Sequence, residues 1–338
     1  MDGHRRIFLV TMKAFLKLVR WPNLLIIILT MVLMHYAILE PLLGNTQITL
    51  YSLAGSANSM ALQTRWYDFL LLVVATVLIA AGGYVINDYF DIKTDLIIKG
   101  KVIVGTKVPR RQALMLHNIL NITGVATGFY ASAQTGYLWL GSIFLIVSGL
   151  LYFYSASYKR QFLIGNLIVA FLTAMVPMLV VIFEGLVLYQ YYAINAVIMP
   201  DLSIFFYWVG GFSIFAFVTT LCREIIKDIE DFEGDVAYGR NTVPVVIGIL
   251  SSKILAAGLI VITLLMLFAV WYFFLFDYIT LTYISVFIGI PLIYVVYQLI
   301  ISQSKKQLHN ASNIMKVVML AGILYSVVVK IMITYNLV

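Results

Sequence analysis

Nine residues near position 90, NDYFDIKTD (Asn87 to Asp95), bring three aspartates and an asparagine to the end of a long apolar stretch. Asp88, Asp91 and Asp95 are three and seven residues apart, which would place them on one face of a helix. Carboxylates stacked in this way repel one another, so a helix tolerates them only when water or cations neutralise them. Carboxylate oxygens are also hard ligands that suit Mg²⁺. The stretch therefore predicts either a solvated helix end or a magnesium site.

The same spacing recurs later in the chain, in KDIEDFEGD (Lys227 to Asp235). Here Asp228, Asp231 and Asp235 repeat the separations of the first three aspartates. Solvated helix ends seldom repeat one spacing in both halves of a chain, so the repeat favours the metal hypothesis and indicates an internal duplication. Two acidic helix ends could hold metal ions that clamp a diphosphate between them.

The elements that position these motifs are predicted to be membrane-spanning helices. The chain of 338 residues is 62% hydrophobic and 11% charged, with a mean hydropathy of +1.00. Apolar stretches of about twenty residues recur, and each can cross a bilayer as a helix. We predict an all-α, polytopic membrane protein with nine transmembrane helices, forming a single domain over residues 1–338. The expected spans are Leu16–Leu39, Phe69–Ile86, Ala113–Ala133, Tyr137–Tyr154, Phe162–Leu188, Ile204–Leu221, Ile254–Phe276, Ile279–Ile301 and Ile314–Ile333.

The acidic motifs divide this array into two parts. The motif at 87–95 follows the second span, and the motif at 227–235 follows the sixth. Helices 2–5 and helices 6–9 would then form two four-helix halves, each beginning with an acidic helix end, and helix 1 would stand outside the repeat.

The basic residues predict the orientation in the membrane. With a cytoplasmic N-terminus and nine spans, every lysine and arginine except Arg65 and Lys330 falls on the cytoplasmic side. This asymmetry is the positive-inside pattern, and it predicts a multi-pass cell-membrane protein with its C-terminus outside. The net charge of +7 is then explained mostly by topology, so we expect no nucleic-acid partner. The single Cys222 excludes an internal disulfide.

Both acidic motifs resemble those of the UbiA-type intramembrane prenyltransferases. NDYFDIKTD fits the family's NDxxDxxxD signature, and KDIEDFEGD is similar to its second aspartate-rich motif. Helix number and motif placement extend the resemblance over essentially the whole chain. The resemblance implies a Mg²⁺-dependent enzyme that transfers a polyprenyl group from its diphosphate. It also implies that the metal ligands are Asn87, Asp91, Asp95, Asp231 and Asp235.

Further residues match the needs of such a reaction, because ionisation of an allylic diphosphate requires cations at one end and aromatic faces at the other. Tyr154 and Lys159 in YSASYKR, with Asn166 in LIGN, resemble the family's YSxxxKR…GN segment, whose lysine contacts the diphosphate. An ordinary positive-inside loop would have the same composition. Arg223 and Lys227 could contact the diphosphate or could be intrahelical partners of neighbouring acids.

Two other substrate-binding candidates and the proton acceptor complete the expected site. Asn23 in RWPN resembles the family's RxxN, and Lys101 in GKVIVG stands where many relatives have an arginine. That departure exchanges a bidentate fork for a point charge, which puts a diphosphate role at this position in doubt. The expected catalytic residues are Lys159 and a carboxylate that accepts the proton of the acceptor, either Asp88 or Asp228.

The acceptor is the open question. REIIKDIEDFEGD is most similar to the family members that transfer a geranylgeranyl group to an oxygen of geranylgeranylglyceryl phosphate, which implies a polyprenyl diphosphate donor, a lipid acceptor and a setting of membrane lipids. Enzymes of quinone biosynthesis with aromatic acceptors are the alternative. A cation transporter is a third hypothesis, disfavoured because the helix centres are almost free of charge. The residues that could bind an anionic acceptor, although topology also explains them, are Lys99, Lys101, Lys107, Arg110 and Arg111.

Overall fold

The computed structural model describes residues 12–51, 57–92, 96 and 102–337. Within these residues nine long helices account for most of the chain. They are α1 (Trp21–Asn45), α2 (Trp66–Phe90), α3 (Arg110–Gln134), α4 (Leu138–Ala156), α5 (Ile164–Asn195), α6 (Ser203–Glu230), α7 (Ile249–Leu275), α8 (Tyr278–Ile301) and α9 (Lys305–Thr334). Shorter helical segments occupy residues 12–18, Tyr158–Arg160, Phe232–Ala237 and Val243–Ile247.

Eight of these helices, in the part of the chain that the structure describes, are long and apolar enough to cross a membrane. The protein is therefore a multi-pass membrane protein, as the composition predicts. The other long helix is α3, which coincides with the third predicted span. It is more polar than the rest because it contains His117, Asn118 and Asn121.

The predicted first span, Leu16–Leu39, is wrong at both ends. Residues 12–18 are helical, but the chain turns at Arg20, whose φ of 52° lies in the left-handed region, and α1 begins only at Trp21. Pro22 suits this position because the first turn of a helix needs no amide hydrogen there. The helix then continues through the π-helical segment Met34–Leu39 to Asn45.

A short β-hairpin follows α1, although the sequence predicts no strands. The strands Gln47–Thr49 and Ala57–Ser59 pair antiparallel. The segment after the hairpin is held to α5: the Tyr192 hydroxyl accepts from the Ala61 amide at 3.1 Å, and the Glu184 carboxylate accepts from the Gln63 amide at 2.7 Å. The buried Glu184 is therefore an anchor for the hairpin.

The helices fall into two compact units. The first contains residues 1–29 and 64–161, with α2, α3 and α4. A polar network joins these three helices: His117 Nδ1 lies 2.9 Å from the Gly82 carbonyl oxygen, Asn121 donates to the His117 carbonyl at 2.9 Å, and Ser148 donates to Asn121 at 2.7 Å. A Cβ at position 82 would lie 2.2 Å from Nδ2 of Asn121, so the close packing of α2 and α3 requires glycine there.

The second unit contains residues 30–63 and 162–338, with α5 to α9 and the hairpin. Its core is an apolar cluster that α6 shares with α7, α8 and α9, including Ile225, Ala256 and Met315. Lys330, one of the two exceptions to the charge asymmetry, donates to the Tyr36 carbonyl at 2.8 Å and pairs with Glu40 at 3.0 Å. Lys330 therefore has its partners within the second unit, which explains why it lies away from the other basic residues.

The division differs from the two predicted halves, because α5 groups with α6 to α9 rather than with α2 to α4. Helices α5 and α6 pack closely: a Cβ at Gly185 would lie 3.0 Å from the ring of Phe206. Packing of this kind cannot be deduced from the repeat of the acidic motifs, which concerns only the ends of α2 and α6.

Candidate active site

The first acidic motif begins in the last turn of α2 and continues beyond it. The helix ends at Phe90, and Asp91 follows with φ −87° and ψ 2°, its amide donating to the Asn87 carbonyl at 3.0 Å. Ile92 is buried beyond it. The predicted ligand Asp95 and the predicted substrate contact Lys101 lie outside the described residues.

Lys159 brings the oxygen atoms of this motif together. Its ammonium group lies 2.7 Å from Oδ1 of Asp91 and 3.3 Å from Oδ1 of Asn87. The side chain is only 7% exposed. It reaches this position because α4 ends at Ala156 and the 3₁₀ turn Tyr158–Arg160 follows directly. Two predicted metal ligands and the predicted diphosphate-binding lysine therefore meet at one point.

Asp88 points to a different neighbour. Its carboxylate accepts a hydrogen bond from Arg20 at 2.9 Å, and the Arg20 guanidinium also lies over the Tyr84 ring, 5.0 Å from its centroid. Asn23 donates to the Tyr84 hydroxyl at 3.3 Å, and Tyr154 is near enough to Arg20 to interact electrostatically. Arg20, which pairs with Asp88, therefore lies beside Tyr154 and beside Tyr84, the residue that Asn23 contacts.

The second motif follows the end of α6. That helix ends at Glu230, and Asp231 separates it from the short helix Phe232–Ala237. The expectation that Asp228, Asp231 and Asp235 share one face of a continuous helix is therefore wrong. Asp231 interrupts the helix, because its φ of −94° and ψ of 5° depart from helical values.

Basic side chains also pair with the carboxylates of this second motif. Asp235 is 2% exposed and lies 3.3 Å from Nη1 of Arg240, while Asp231 lies 3.8 Å from the ammonium group of Lys305. Burial raises the pKa of the Asp235 carboxyl group, and the charge of Arg240 opposes this shift. An ionised Asp235 at this buried position therefore depends on a neighbouring cation.

The remaining predicted residues lie on α5 and α6. Asn166, in the first turn of α5, donates to Oδ2 of Asp228 at 2.7 Å. Arg223 pairs with the adjacent Glu224, and Lys227 is exposed. Asp228 thus differs from Asp88, because its carboxylate accepts a hydrogen bond from a neutral amide rather than from a guanidinium.

The donor atoms suit Mg²⁺, which prefers carboxylate, amide and phosphate oxygens. Among residues 12–51, 57–92, 96 and 102–337, no three histidine, cysteine, aspartate or glutamate side chains are grouped closely enough to hold a metal ion. The convergence of Asn87 and Asp91 on one ammonium group nevertheless shows that their oxygens can serve a single cation. Because Mg²⁺ is usually held by one or two carboxylates together with substrate phosphates, the residues fit this ion.

Three of the basic partners were not among the predicted site residues. Arg20 is signalled only by its place in the RxxN pattern, and Arg240 follows Asp235 in the sequence without any recognisable spacing. Lys305 is far from Asp231 in sequence and comes from the beginning of α9. Such partners could be found only from the fold.

Comparison with known proteins shows the family of this chain. The sequence profile of the UbiA prenyltransferase family matches residues 48–320. The chain belongs to this family. This UbiA-family enzyme is 33% identical over 264 residues to a digeranylgeranylglyceryl phosphate synthase of Methanosphaera stadtmanae, covering 77% of this chain and 88% of the relative.

Solved structures show the same fold. A digeranylgeranylglyceryl phosphate synthase superimposes on the UbiA-family enzyme with a TM-score of 0.61 at 23% identity, covering 94% of this chain and 99% of that one. A UbiA homologue from Archaeoglobus fulgidus bound to GPP and Mg²⁺ superimposes with a TM-score of 0.50 at 15% identity, covering 93% and 99%. The helical array is therefore that of the UbiA family.

Proposed function

We propose that this UbiA-family enzyme transfers a geranylgeranyl group from geranylgeranyl diphosphate to geranylgeranylglyceryl phosphate, and that residues 1–338 act as one catalytic domain. The proposal is supported by the relative from Methanosphaera stadtmanae, whose name describes that product and most of whose length is matched. The observation in this protein that carries it is the convergence of Asn87, Asp91 and Lys159. Oxygen ligands beside a buried ammonium group suit a metal-bound diphosphate.

The two motifs would act on one diphosphate. Mg²⁺, when bound, supplies positive charge that stabilises the departing pyrophosphate. Lys159 would bind the diphosphate oxygens and stabilise the same negative charge as it develops. The support for joint action is the repeat of aspartate spacing, which we attribute to an internal duplication. The side chains that would hold the ion are Asn87, Asp91, Asp95, Asp231 and Asp235.

The proton of the acceptor hydroxyl would pass to a carboxylate. In the transfer, the hydroxyl oxygen forms a bond to the allylic carbon, the bond from that carbon to the diphosphate oxygen breaks, and pyrophosphate leaves. Of the two candidate bases, Asp88 bonds to Arg20, whereas Asp228 accepts from the neutral Asn166. A carboxylate without a bound cation holds a proton more readily. We therefore assign the base role to Asp228 and a positioning role to Asn166.

The reaction would take place on the cytoplasmic side of the cell membrane. The basis is the distribution of lysine and arginine, which favours a cytoplasmic N-terminus and an outer C-terminus for nine spans. Both acidic motifs are then on the side where soluble Mg²⁺ and pyrophosphate are exchanged, while the prenyl chains of donor and acceptor remain among the helices and lipid.

A product assay tests the proposal. Purified enzyme in lipid nanodiscs is given Mg²⁺, geranylgeranyl diphosphate and either geranylgeranylglyceryl phosphate or an aromatic acceptor, and the products are identified by mass spectrometry. We expect digeranylgeranylglyceryl phosphate and pyrophosphate in equal amounts, with none formed by the Asp91→Ala variant. A product found only with the aromatic acceptor would replace the proposed acceptor. Cation flux through liposomes without any prenyl product would overturn the enzyme assignment.

A further inference from the structure

One face of the inner part of α9 is polar, although the remainder of this helix is largely apolar. The side chains at helical spacing on this face start near the cytoplasmic end and reach about three turns into the helix. They are Lys306, His309, Asn310, Asn313 and Lys316. None of them belongs to the two acidic motifs.

A cavity opens beside this polar face, at the ends of α8 and α9. Its volume is about 370 Å³, at the small end of the range of about 300–1,000 Å³ that is usual for small-molecule sites. All of its lining side chains are amides or nitrogen bases, and carboxylates are absent from them. They are Gln298, Lys306, Gln307, His309, Asn310 and Asn313.

The polar face leads from this cavity to the second acidic motif. His309 lies 2.9 Å from Oε1 of Glu230, the residue directly before Asp231. Deeper in the helix, the Lys316 ammonium group donates to Asn313 at 3.0 Å. Lys316 also interacts electrostatically with two basic residues of α6, Arg223 and Lys227. We refer to Arg223, Lys227 and Lys316 as the α6–α9 basic cluster.

Two of the three cations in the basic cluster are not paired with a carboxylate of the described chain. Three acids of α6 lie near the cluster, and each has another partner: Glu224 is bound by Arg223, Glu230 lies against His309, and Asp228 accepts from Asn166. Lys227 and Lys316 form no salt bridge with any carboxylate of the described residues. In the same part of the chain, Nε of Arg223 is buried without a hydrogen-bond partner. A buried donor left unpaired is costly, and a bound acceptor would remove that cost.

We infer that the α6–α9 basic cluster and the adjoining cavity bind the phosphate monoester headgroup of the lipid acceptor. Like charges gathered on two neighbouring helices repel one another, and a bound anion would relieve that repulsion. The glycerol hydroxyls and phosphate of the headgroup match the amides and bases that line the cavity. This assignment rests on the proposed function, and it gives the phosphate of the acceptor cationic partners other than Lys159, the proposed contact of the donor diphosphate.

The test compares Lys316→Met with Lys316→Arg and with a control, Lys13→Met. Lys13 is exposed near the N-terminus. Its variant makes the same exchange of lysine for methionine, with the same loss of charge, elsewhere in the chain. For Lys316→Met we expect the KM for geranylgeranylglyceryl phosphate to rise about ten- to hundredfold, the effect of losing one charged hydrogen bond. The KM for geranylgeranyl diphosphate should stay unchanged. Lys316→Arg keeps the charge and should recover most of the acceptor affinity that Lys316→Met loses. Lys13→Met should resemble the wild type.

A second substrate isolates the phosphate group. Geranylgeranylglycerol, the same lipid without phosphate, should be a poor acceptor for wild type and Lys316→Met alike, so the variant should lose nothing further. An increase in the donor KM alone would show that the cluster serves the donor diphosphate and would overturn the inference. Unchanged KM values of Lys316→Met for both substrates would also overturn the inference. The proposed function is a separate matter, and it fails only if the wild type makes no product. Lys227→Met, at an exposed position of the same cluster, replaces Lys316→Met if that variant does not fold.

Discussion

Asp91 and Asp231 end their helices with nearly the same backbone geometry. Their φ and ψ angles are −87° and 2° for Asp91 and −94° and 5° for Asp231. Each amide donates to the carbonyl four residues earlier at 3.0 Å. That earlier residue is Asn87 in the first motif and Lys227 in the second. The equivalent position therefore carries a neutral amide side chain in one motif and an ammonium group in the other. The motifs are therefore similar in geometry and different in charge.

Joint action of the motifs predicts non-additive losses. Asp91→Ala and Asp235→Ala should each nearly abolish prenyl transfer, because each would remove a proposed oxygen ligand of the metal ion that binds the diphosphate. The double variant should be hardly slower than either single variant, since groups that act as a unit give non-additive effects. Single-turnover rates at saturating donor measure this. Near-normal transfer by either single variant at low Mg²⁺ would disprove the two-motif mechanism.

Removal of Lys159 should weaken donor binding as well as the rate. In the proposed site its charge would contact the diphosphate in the ground state and in the transition state, so Lys159→Met should raise the donor KM and lower kcat/KM. A loss of about 2–4 kcal/mol fits the deletion of one buried charged contact. Arg160→Met provides a control, because Arg160 belongs to the same 3₁₀ turn but is exposed. Equal losses for both variants would indicate an effect of loop charge rather than a specific contact.

The two candidate bases, Asp88 and Asp228, have different hydrogen-bond partners, so we expect their variants to behave differently. Asp228→Asn should retain Mg²⁺-dependent donor binding while transfer falls by about two to four orders of magnitude, the usual contribution of general base catalysis. Asp88→Asn should have a smaller effect on transfer, because its main loss is the salt bridge to Arg20. Donor binding is measured with a non-hydrolysable diphosphate analogue and transfer by rapid quench. A larger rate loss for Asp88→Asn would reverse the assignment.

Glu184 should matter for stability rather than for chemistry. It is 1% exposed, and its carboxylate accepts from the Gln63 amide. Glu184→Leu removes this acceptor and should cost about 1–3 kcal/mol, the penalty for a donor left without a partner. Glu184→Gln keeps an oxygen acceptor and should cost less. Thermal unfolding in detergent measures the effect. An unchanged Tm for Glu184→Leu would show that the hairpin does not depend on this anchor.

Most of the helices could be predicted because the bilayer requires long apolar stretches. Their ends could not, since a helix continues into polar sequence wherever its backbone is satisfied: the sixth predicted span stopped at Leu221, whereas α6 runs to Glu230. The hairpin was missed because strands of three residues are too short to show an alternating pattern. The turn at Arg20 was missed for a different reason, because an arginine with a positive φ has no sequence signature.

The candidate site could be predicted where its residues belong to recognisable motifs. It could not be predicted where the fold brings in residues that have no motif. Asn87, Asp91 and Lys159 were all recognised from motifs, and the structure brings them together. Lys305 and Lys316 come from α9, far along the chain from the motif at 227–235, and no spacing relates them to it. Basic residues near a membrane surface are also expected from the positive-inside pattern alone. The few that would bind a substrate therefore do not stand out in the sequence.

The basic partners of the motif carboxylates also determine how the protein can fold. Asp88, Asp91 and Asp235 each have a cationic side chain of the same chain beside them. We therefore expect newly made protein to reach its native state without divalent metal. A chelator should stop catalysis at once while leaving the melting temperature unaltered, and inactive enzyme purified in EDTA should recover fully when the metal is restored. If Asp91 and Asp235 are metal ligands as proposed, Lys159 and Arg240 would compete with the metal for their oxygens. Mg²⁺ alone should then bind weakly and should enter together with the diphosphate.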